Sequence, residues 1–309
     1  MKFGVCLPTF RYGAEPTSDH IFAVVRAAEE HGFDSVWAGD HVLVPADQTR
    51  MRFFADPLLT LGVIAGMTKR VQLGTSVVIA PLRNPLVLAK QAATLDFLSS
   101  GRLILGLGAG WLEREFNYLN IDFKQRGRLL DETIRVLRAV WQAVPASFEG
   151  EFYRFEDAVL EPQPVRSGGP PIWIGGSSER ALQRTASLGN AWHADDTPAD
   201  EVARVNKVLQ GYAQAAGRSV EVTTRVSTRV VGVGKTSEKA PGRDEGYYRD
   251  AEESWSGIVG SPPELLNQVQ EFADAGSSHF IAQFDHSSVE EHLESMRAFA
   301  DEVISRFPA

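Results

Sequence analysis

The sequence predicts a (β/α)8 barrel, and three observations carry that prediction. Short β-like runs alternate with longer segments of helical period along the chain, which is the pattern of a parallel sheet covered by helices. Eight such runs occur in 309 residues, a length that suits eight β/α units. Helix start signals at two of the junctions support the same alternation. A doubly wound open sheet is the alternative, because alternation alone does not show that the sheet closes.

The elements follow in order along the chain. The eight predicted strands are Phe3 to Leu7, Ser35 to Ala38, Val71 to Val78, Leu103 to Leu107, Ile172 to Ile174, Ala191 to Ala194, Val220 to Val233 and His279 to Phe284. Between them, apolar residues recur at spacings of three and four, as on a helix with one buried face. The clearest stripes are Ile21, Val24, Val25 and Ala28; Leu130, Ile134, Leu137, Trp141 and Val144; and Val289, Leu293, Met296, Ala300 and Val303. Thr197 to Asp200 and Ser261 to Glu264 each combine an N-cap hydroxyl, proline and an acid three residues later, and therefore predict helix starts.

Three segments are longer than bare β/α units require. They are Gly39 to Asp56, Phe148 to Gly169 and Gly234 to Trp255. The middle one alternates like a small hairpin, and the last is rich in glycine and charge, which predicts a mobile segment able to close over the barrel mouth. No linker divides the chain, so we expect one domain over residues 1–309 with inserts at about 148–169 and 234–255.

Composition excludes several classes of protein. Lys and Arg total 31 against 40 Asp and Glu, a net charge of −9, so neither nucleic acid nor an anionic membrane is an expected partner. Cys6 is the only cysteine, which rules out an internal disulfide and fits a reducing cytoplasm. The 7 histidines show no metal-ligand spacing, and we expect no metal. Apolar runs such as Leu58 to Met67 are too short to span a bilayer, and we expect no signal peptide or membrane anchor.

In a parallel barrel the active site lies at the carboxyl ends of the strands, so the residues there are the candidates for chemistry. The fifth predicted strand ends in Gly175, Gly176, Ser177 and Ser178 before a helix. Glycines allow a close approach, hydroxyls donate, and a helix N-terminus presents free N–H groups, so this turn suits a phosphate. The alternative is a tight strand-to-helix turn capped by serine.

The fourth predicted strand runs into a glycine series that ends at Trp111. Trp111 stands where the dinucleotide fingerprint requires its third glycine, so that motif fails. Gly106, Gly108 and Gly110 then either leave room for a flat ring, with Trp111 as a wall, or meet a packing requirement inside the barrel. Gly74, within the third strand, indicates a bulge or a close ligand.

Asp40 and His41 follow the second predicted strand at the barrel mouth. An imidazole exchanges a proton near neutral pH, and a carboxylate can fix its tautomer, although adjacent side chains seldom point the same way. The alternative is a structural histidine. His193 is a weaker candidate, and the other five histidines have the positions of helix-surface or strand-end residues. Cys6, within the first strand, is expected to be a buried apolar filler.

Together these residues resemble the bacterial luciferase-like superfamily of flavin and deazaflavin oxidoreductases, and within it the branch that depends on coenzyme F420. The resemblance is detailed from Met1 to about Ala194 and looser beyond. The matching segments are Lys2 to Phe10, Gly32 to Trp37, Gly39 to His41, Leu73 to Val77, Arg83 to Pro85, Leu95 to Asp96, Gly101 to Leu103, Gly106 to Trp111, Glu115 to Phe116, Arg126 to Gly127, Asp131 to Glu132 and Pro171 to Ser178.

The resemblance implies a (β/α)8 barrel, commonly dimeric, with an isoalloxazine-type ring across the mouth. It implies a cis peptide between Ser76 and Val77 that bulges against the ring, and His41 and Asp40 at the reacting edge. The implied cofactor contacts are Thr9, Thr75, Ser76, Val77, Gly108, Gly110, Trp111, Gly175, Gly176, Ser177 and Ser178. Two departures stand out: Trp111 replaces the glutamate of the sugar-phosphate dehydrogenases, and Asn190-Ala191-Trp192 replaces the frequent Asp-Gly-Trp.

The sequence hypothesis is therefore an F420-dependent oxidoreductase that exchanges hydride with a small organic substrate. We expect His41 to be the general acid or base, Asp40 to orient it or the ring, and Phe53, Phe54 and Trp111 to shape an apolar pocket. We also expect Trp111 and Trp192 to lie near the ring. The alternative is an FMN-dependent two-component monooxygenase that uses reduced flavin, O2 and a reductase partner. A third reading is a non-catalytic flavin-binding protein. A homodimer is expected in each case.

Overall fold

The computed structural model describes residues 1–9, 16–47, 53–232 and 257–307. The strands are β1 (Lys2–Cys6), β2 (Ser35–Ala38), β3 (Gln72–Thr75), β4 (Val78–Ile79), β5 (Leu103–Gly108), β6 (Ala146–Glu149), β7 (Arg154–Ala158), β8 (Ile172–Gly175), β9 (Ala191–Asp195), β10 (Glu221–Val230), β11 (Ile258–Gly260) and β12 (Ser277–Phe284). The α-helices are α1 (Ser18–Glu30), α2 (Pro57–Met67), α3 (Pro85–Leu98), α4 (Glu113–Tyr118), α5 (Arg126–Gln142), α6 (Glu179–Leu188), α7 (Ala199–Ala215), α8 (Pro262–Asp274) and α9 (Val289–Glu302).

Eight parallel strands form a closed barrel. Around the ring the order is β1, β2, β3, β5, β8, β9, β10 and β12. The pairing of β9 with β10 and of β12 with β1 completes the circle. The predicted (β/α)8 barrel is therefore confirmed, and the open doubly wound sheet is wrong.

Each barrel strand has an inner and an outer face, because successive side chains point to opposite sides. The inner core comprises Cys6, Trp37, Ile104, Trp173, Ala191 and Ile281. Trp37 stacks on Trp173 with ring centroids 4.8 Å apart. A Cβ at Gly74 would overlap the Trp37 indole, so this glycine makes room for a tryptophan and not for the bulge or ligand that the sequence suggested.

The helices pack on the outer face of the barrel. Every residue of the predicted α1 stripe is buried, including Val24 and Val25. Burial of a side chain of that size contributes about 1.5 to 3 kcal/mol. No helix in the described ranges is both long enough and apolar enough to cross a bilayer.

Most predicted elements lie where the sequence put them. The middle insert contains the antiparallel hairpin β6–β7. The third predicted strand is shorter than expected, because the chain leaves the ladder after Thr75 and resumes as β4. Thr197 is not an N-cap; its hydroxyl bonds Asp195, and α7 begins at Ala199. Val144 lies beyond α5 and is exposed. The 234–255 insert lies outside the described residues, and the single-domain assignment stays a prediction.

Candidate active site

His41 lies at the carboxyl end of β2, and its partner comes from α4. His41 Nδ1 donates to Glu115 Oε2 over 2.9 Å, and Glu115 is fully buried. The other carboxylate oxygen of Glu115 accepts the backbone N–H groups of Val42, at 2.5 Å, and Leu43, at 3.1 Å. This carboxylate fixes the loop after β2 and the imidazole together. It also sets the tautomer, so that Nε2 is the nitrogen left to exchange a proton.

Asp40 does not orient His41. Both of its carboxylate oxygens bind Arg83, at 2.6 and 2.7 Å, and one also accepts the N–H of Ile79 at 2.9 Å. Burial alone would lower the pKa of the Arg83 guanidinium, but the Asp40 and Asp56 carboxylates outweigh burial and raise it. Asp40 and His41 are adjacent in the sequence but have different partners. Asp40 links β2 to the chain after β4, and Glu115 holds His41.

Aromatic rings surround the imidazole. Phe54 packs edge-on to His41 at a centroid distance of 4.8 Å, and Trp111 does so at 5.8 Å. Trp111 is 46% exposed and Phe53 37% exposed, so both are accessible at the mouth. Phe54 and Trp111 therefore supply the apolar wall that the sequence predicted beside His41.

The Ser76–Val77 peptide is cis, as the resemblance implied. Both residues are only partly buried, and the Ser76 hydroxyl donates to His193 Nε2 over 2.8 Å. His193 Nδ1 bonds Thr223 Oγ1 at 3.2 Å, and that hydroxyl donates in turn to the Trp192 carbonyl. Burial lowers the pKa of His193 to about 3, so the ring is neutral and can accept from Ser76. His193 is thus a support for the cis peptide.

The glycines in and just after β5 make room for the chain around the Ser76–Val77 cis peptide. A Cβ at Gly106 would overlap the Thr75 carbonyl, and one at Gly108 would lie 2.6 Å from Val77 Cγ2. A Cβ at Gly110 would meet Ile79 and Phe116 at 2.7 and 2.9 Å. The sequence offered two explanations for these glycines: room for a flat ring, or packing inside the barrel. The distances show that packing inside the barrel excludes a side chain at each of the three positions. Gly108 and Gly110 face protein on their Cβ side.

The turn after β8 is open. Residues Gly176, Ser177 and Ser178 are exposed, and Gly176 has φ +101°, a conformation that favours glycine. Ser178 caps α6 by accepting the N–H of Ala181 at 3.3 Å. Behind the turn, the Trp192 indole donates to the Gly176 carbonyl over 2.9 Å. The expectation that Trp192 lies beside the ring is wrong, because its side chain is on the outer face of β9 and fully buried.

Two threonines complete the predicted set. Thr75 donates its hydroxyl to the Gly106 carbonyl over 2.8 Å, which uses its hydrogen within the protein. Thr9, just after β1, is fully buried, and its hydroxyl has no hydrogen-bond partner among the described residues. A buried hydroxyl without a partner is costly, and a bound polar group can relieve that cost.

These observations fit a flavin-type cofactor. The Thr9 hydroxyl, which no described residue bonds, the partly exposed Ser76–Val77 peptide and the open turn at the start of α6 all belong to the carboxyl ends of barrel strands. A helix N-terminus with free N–H groups and a serine suits the phosphate of such a group. Asn190 and Ala191 lie at the opposite end of β9, where Asn190 Oδ1 accepts the Ile172 N–H, so this sequence departure does not alter the mouth.

Sequence reasoning missed Glu115 and Arg83 as site residues. Both occur in segments that carried the family resemblance, but no local spacing links them to His41 or Asp40. Cys6 is buried as predicted, and burial raises the pKa of its thiol to about 12.

Comparison with known proteins identifies the family of this chain. A family model described as luciferase-like monooxygenase matches residues 1–307. The F420-dependent glucose-6-phosphate dehydrogenase of Amycolatopsis mediterranei is 26% identical over 313 residues, which cover 91% of this chain and 92% of that protein. The oxygenase component of the flavin-dependent trigonelline monooxygenase of Acinetobacter baylyi is 30% identical over 180 residues, 56% of this chain and 48% of that protein.

A solved structure extends the likeness to the whole fold. An F420-dependent secondary alcohol dehydrogenase, in complex with an F420–acetone adduct, superposes with a TM-score of 0.82 over 99% of both chains at 18% identity. The family match spans nearly the entire sequence, and the barrel is the fold of these relatives. The chain therefore belongs to the luciferase-like monooxygenase family and is an oxidoreductase.

Proposed function

We propose that this oxidoreductase exchanges hydride between the deazaflavin coenzyme F420 and a small organic substrate at the barrel mouth. The observation that carries the proposal is the His41–Glu115 pair, buried on one side and flanked by Phe54 and Trp111 on the other. It combines a proton-exchanging group with an apolar wall, which suits a small substrate with one polar atom at its reacting carbon.

The reaction requires a proton as well as a hydride. Bound F420 supplies the hydride chemistry; the protein supplies orientation and the proton. His41 Nε2 gives a proton to the substrate oxygen during reduction and takes it back during oxidation. Glu115 keeps the other proton at Nδ1, so the exchange is confined to Nε2.

Other residues position the cofactor. Ser76 and Val77 support the ring from the β3 side, Thr9 offers its hydroxyl, and the backbone of Gly108 and Gly110 borders the site. Gly175, Gly176, Ser177 and Ser178 hold the phosphate. Asp40 acts indirectly, by fixing the base of the mouth through Arg83. Trp111 stands where sugar-phosphate dehydrogenases carry a glutamate, which favours an apolar substrate over a sugar phosphate.

FMN-dependent monooxygenation is the second candidate. The same ring site suits either cofactor, and the trigonelline monooxygenase relative supports this alternative. Such an enzyme would need O2 and a reductase partner. F420 is preferred because the relative aligned over 91% of the chain is named as F420-dependent.

A binding titration decides between the cofactors. Purified protein is titrated anaerobically with F420 and with FMN while the fluorescence of its 6 tryptophans is followed. We expect micromolar or tighter binding of F420, with weaker binding of FMN. Trp111→Phe should remove most of the quenching, whereas Trp141→Phe should not, because Trp141 lies in the last turn of α5 at the other end of the barrel.

Two results would contradict the proposal. Preferred binding of FMN, with oxygen-dependent turnover when a flavin reductase is added, would move the assignment to monooxygenation. Quenching that survives in Trp111→Phe would place the ring away from the His41 side of the mouth.

A further inference from the structure

A cleft on the outer surface of the barrel is lined by three arginines. It lies between α5 and α6, beside β6, and has a volume of about 370 Å³. The arginines are Arg135 and Arg138 on α5 and Arg218 after α7. No acidic residue of the described chain lines this cleft, although the whole protein has a net charge of −9. The cleft therefore concentrates positive charge on a protein that is negative overall.

Arg138 is half-buried, and its hydrogen bonds go to neutral groups. Its guanidinium donates to the Gly168 carbonyl over 2.6 Å and to Asn190 Oδ1 over 2.8 Å. Burial lowers the pKa of this group, and the positive charge of Arg218 lowers it further. The two guanidinium groups are therefore close enough to repel each other, and a bound anion would relieve that repulsion.

Arg218 is held in the same way at the end of α6. Its guanidinium donates to the carbonyls of Ala186, at 2.9 Å, and Gly189, at 2.8 Å. The negative end of the helix dipole offsets about half of a unit charge. A guanidinium has five N–H donors, so Arg138 and Arg218 both keep donors for a further acceptor.

The acids that neighbour the cleft in sequence are engaged elsewhere. Asp131, one turn before Arg135 on α5, pairs with Arg184. Glu149, in β6, pairs with Arg154. Arg135 itself is exposed to solvent. The positive charge of the cleft is thus available to an anion from solution.

The remaining walls of the cleft are largely apolar. Phe148, in β6, stacks on Phe155 with ring centroids 6.0 Å apart, and this contact fixes its ring. Ile134, Ala139 and Leu188 add to the apolar lining. Sites for small ligands combine apolar walls with a few placed polar groups, in volumes of roughly 300 to 1,000 Å³. The cleft has both properties.

We propose that this cleft binds a small phosphate ester, with the phosphate between the three arginines and the organic part against Phe148. A phosphate dianion suits several positive charges, and the planar guanidinium group binds phosphate oxygens in pairs. Asn190, the partner of Arg138, precedes β9, so the cleft lies at the amino ends of the strands, opposite His41. The site is separate from the mouth and does not depend on the function proposed there.

Isothermal titration calorimetry of the full-length protein tests this site. Phenyl phosphate and inorganic phosphate are titrated at constant ionic strength, and phenol serves as the neutral probe. We expect phenyl phosphate to bind more tightly than inorganic phosphate, because only the ester has a ring to place against the apolar walls. Phenol, which lacks the charge, should give no measurable binding.

Arg135→Gln is the decisive variant, because its side chain is exposed and its loss should leave the melting temperature unchanged. It should lower the affinity for phenyl phosphate by about tenfold or more, since a hydrogen bond between two charged groups is lost. Arg297→Gln, exposed on α9 and outside the cleft, is the matched control and should bind as wild type.

Three results would overturn the proposal. They are absence of phenyl phosphate binding, equal affinity for phenyl phosphate and inorganic phosphate, and unchanged affinity in Arg135→Gln. The first would leave Arg138 and Arg218 as anchors of the chain at the ends of α5 and α6. The last would place the bound phosphate elsewhere on the protein.

Discussion

At the residue scale, the candidate site depends on which carboxylate holds His41. Glu115 accepts from Nδ1 and from two backbone N–H groups, so its charge is fully engaged in a buried position. In Glu115→Gln one oxygen can still accept the backbone N–H groups, but the amide nitrogen cannot accept from Nδ1. The imidazole would then adopt the other tautomer, with its proton on Nε2. The His41 imidazole would still be present, but in the wrong tautomer it would transfer a proton more slowly.

We therefore expect Glu115→Gln to lower kcat by about 10 to 100-fold and His41→Ala to lower it by about 100-fold or more. Binding of F420 should change little in both, because neither side chain is assigned to the cofactor. The measurements are steady-state kinetics across pH and the fluorescence titration. Glu113→Gln, an exposed neighbour in the first turn of α4, is the control. A wild-type pH profile in Glu115→Gln would show that Glu115 only holds the loop.

The sequence placed His41 at the barrel mouth but did not identify its hydrogen-bond partner. Asp40 and His41 were identified from their place after β2, which the strand pattern supplies. Their partners come from 43 residues away for Asp40 and 74 for His41. Local spacing carries no information about pairs at that distance, because they meet only when the barrel closes.

At the element scale, the glycines of β3 and β5 show how the barrel accommodates bulky groups. Gly74 lies under the Trp37 indole, and Gly108 under Val77. Their role is to leave space, and the required space is set by a neighbouring strand. Gly74→Ala should lower the free energy of unfolding by about 1 to 3 kcal/mol, because the added methyl overlaps the ring of a fully packed tryptophan.

Urea denaturation followed by circular dichroism measures this change. Gly211→Ala, in α7, is the matched control, because a Cβ there meets no atom within 4 Å. That variant should gain up to about 1 kcal/mol from helix propensity. Equal stability of Gly74→Ala and wild type would mean that Trp37 moves aside at no cost.

Strands were easier to predict than the directions of their side chains. All eight barrel strands have apolar runs that mark their existence. In a parallel barrel both faces of a strand are buried, so apolar and polar residues do not alternate along it. The sequence therefore does not show which side chains point into the barrel and which point outward. For this reason Trp192 was expected at the cofactor and lies outside, whereas His193, the weaker candidate, lies inside beside Ser76.

At the scale of the whole molecule, α2 carries an apolar face that the described chain leaves uncovered. Leu59 is 71% exposed, Val63 55% and Met67 42%, and their spacing of four places them on one stripe. The helix contains no charged residue between Pro57 and Met67. A helix that is apolar all round is normally buried, and an exposed apolar stripe marks an interaction site.

We propose that a second copy of the chain covers this stripe, which accounts for the expected homodimer. Wild-type protein should have the mass of a dimer by light scattering after size exclusion, and Val63→Asp should have the mass of a monomer, because two charges would be buried at the contact. Val208→Asp, at a 41% exposed position on α7, controls for the effect of adding an acid to a helix surface and should stay dimeric. If Val63→Asp keeps the dimer mass, the chains associate through another surface. The stripe on α2 would then need a different partner.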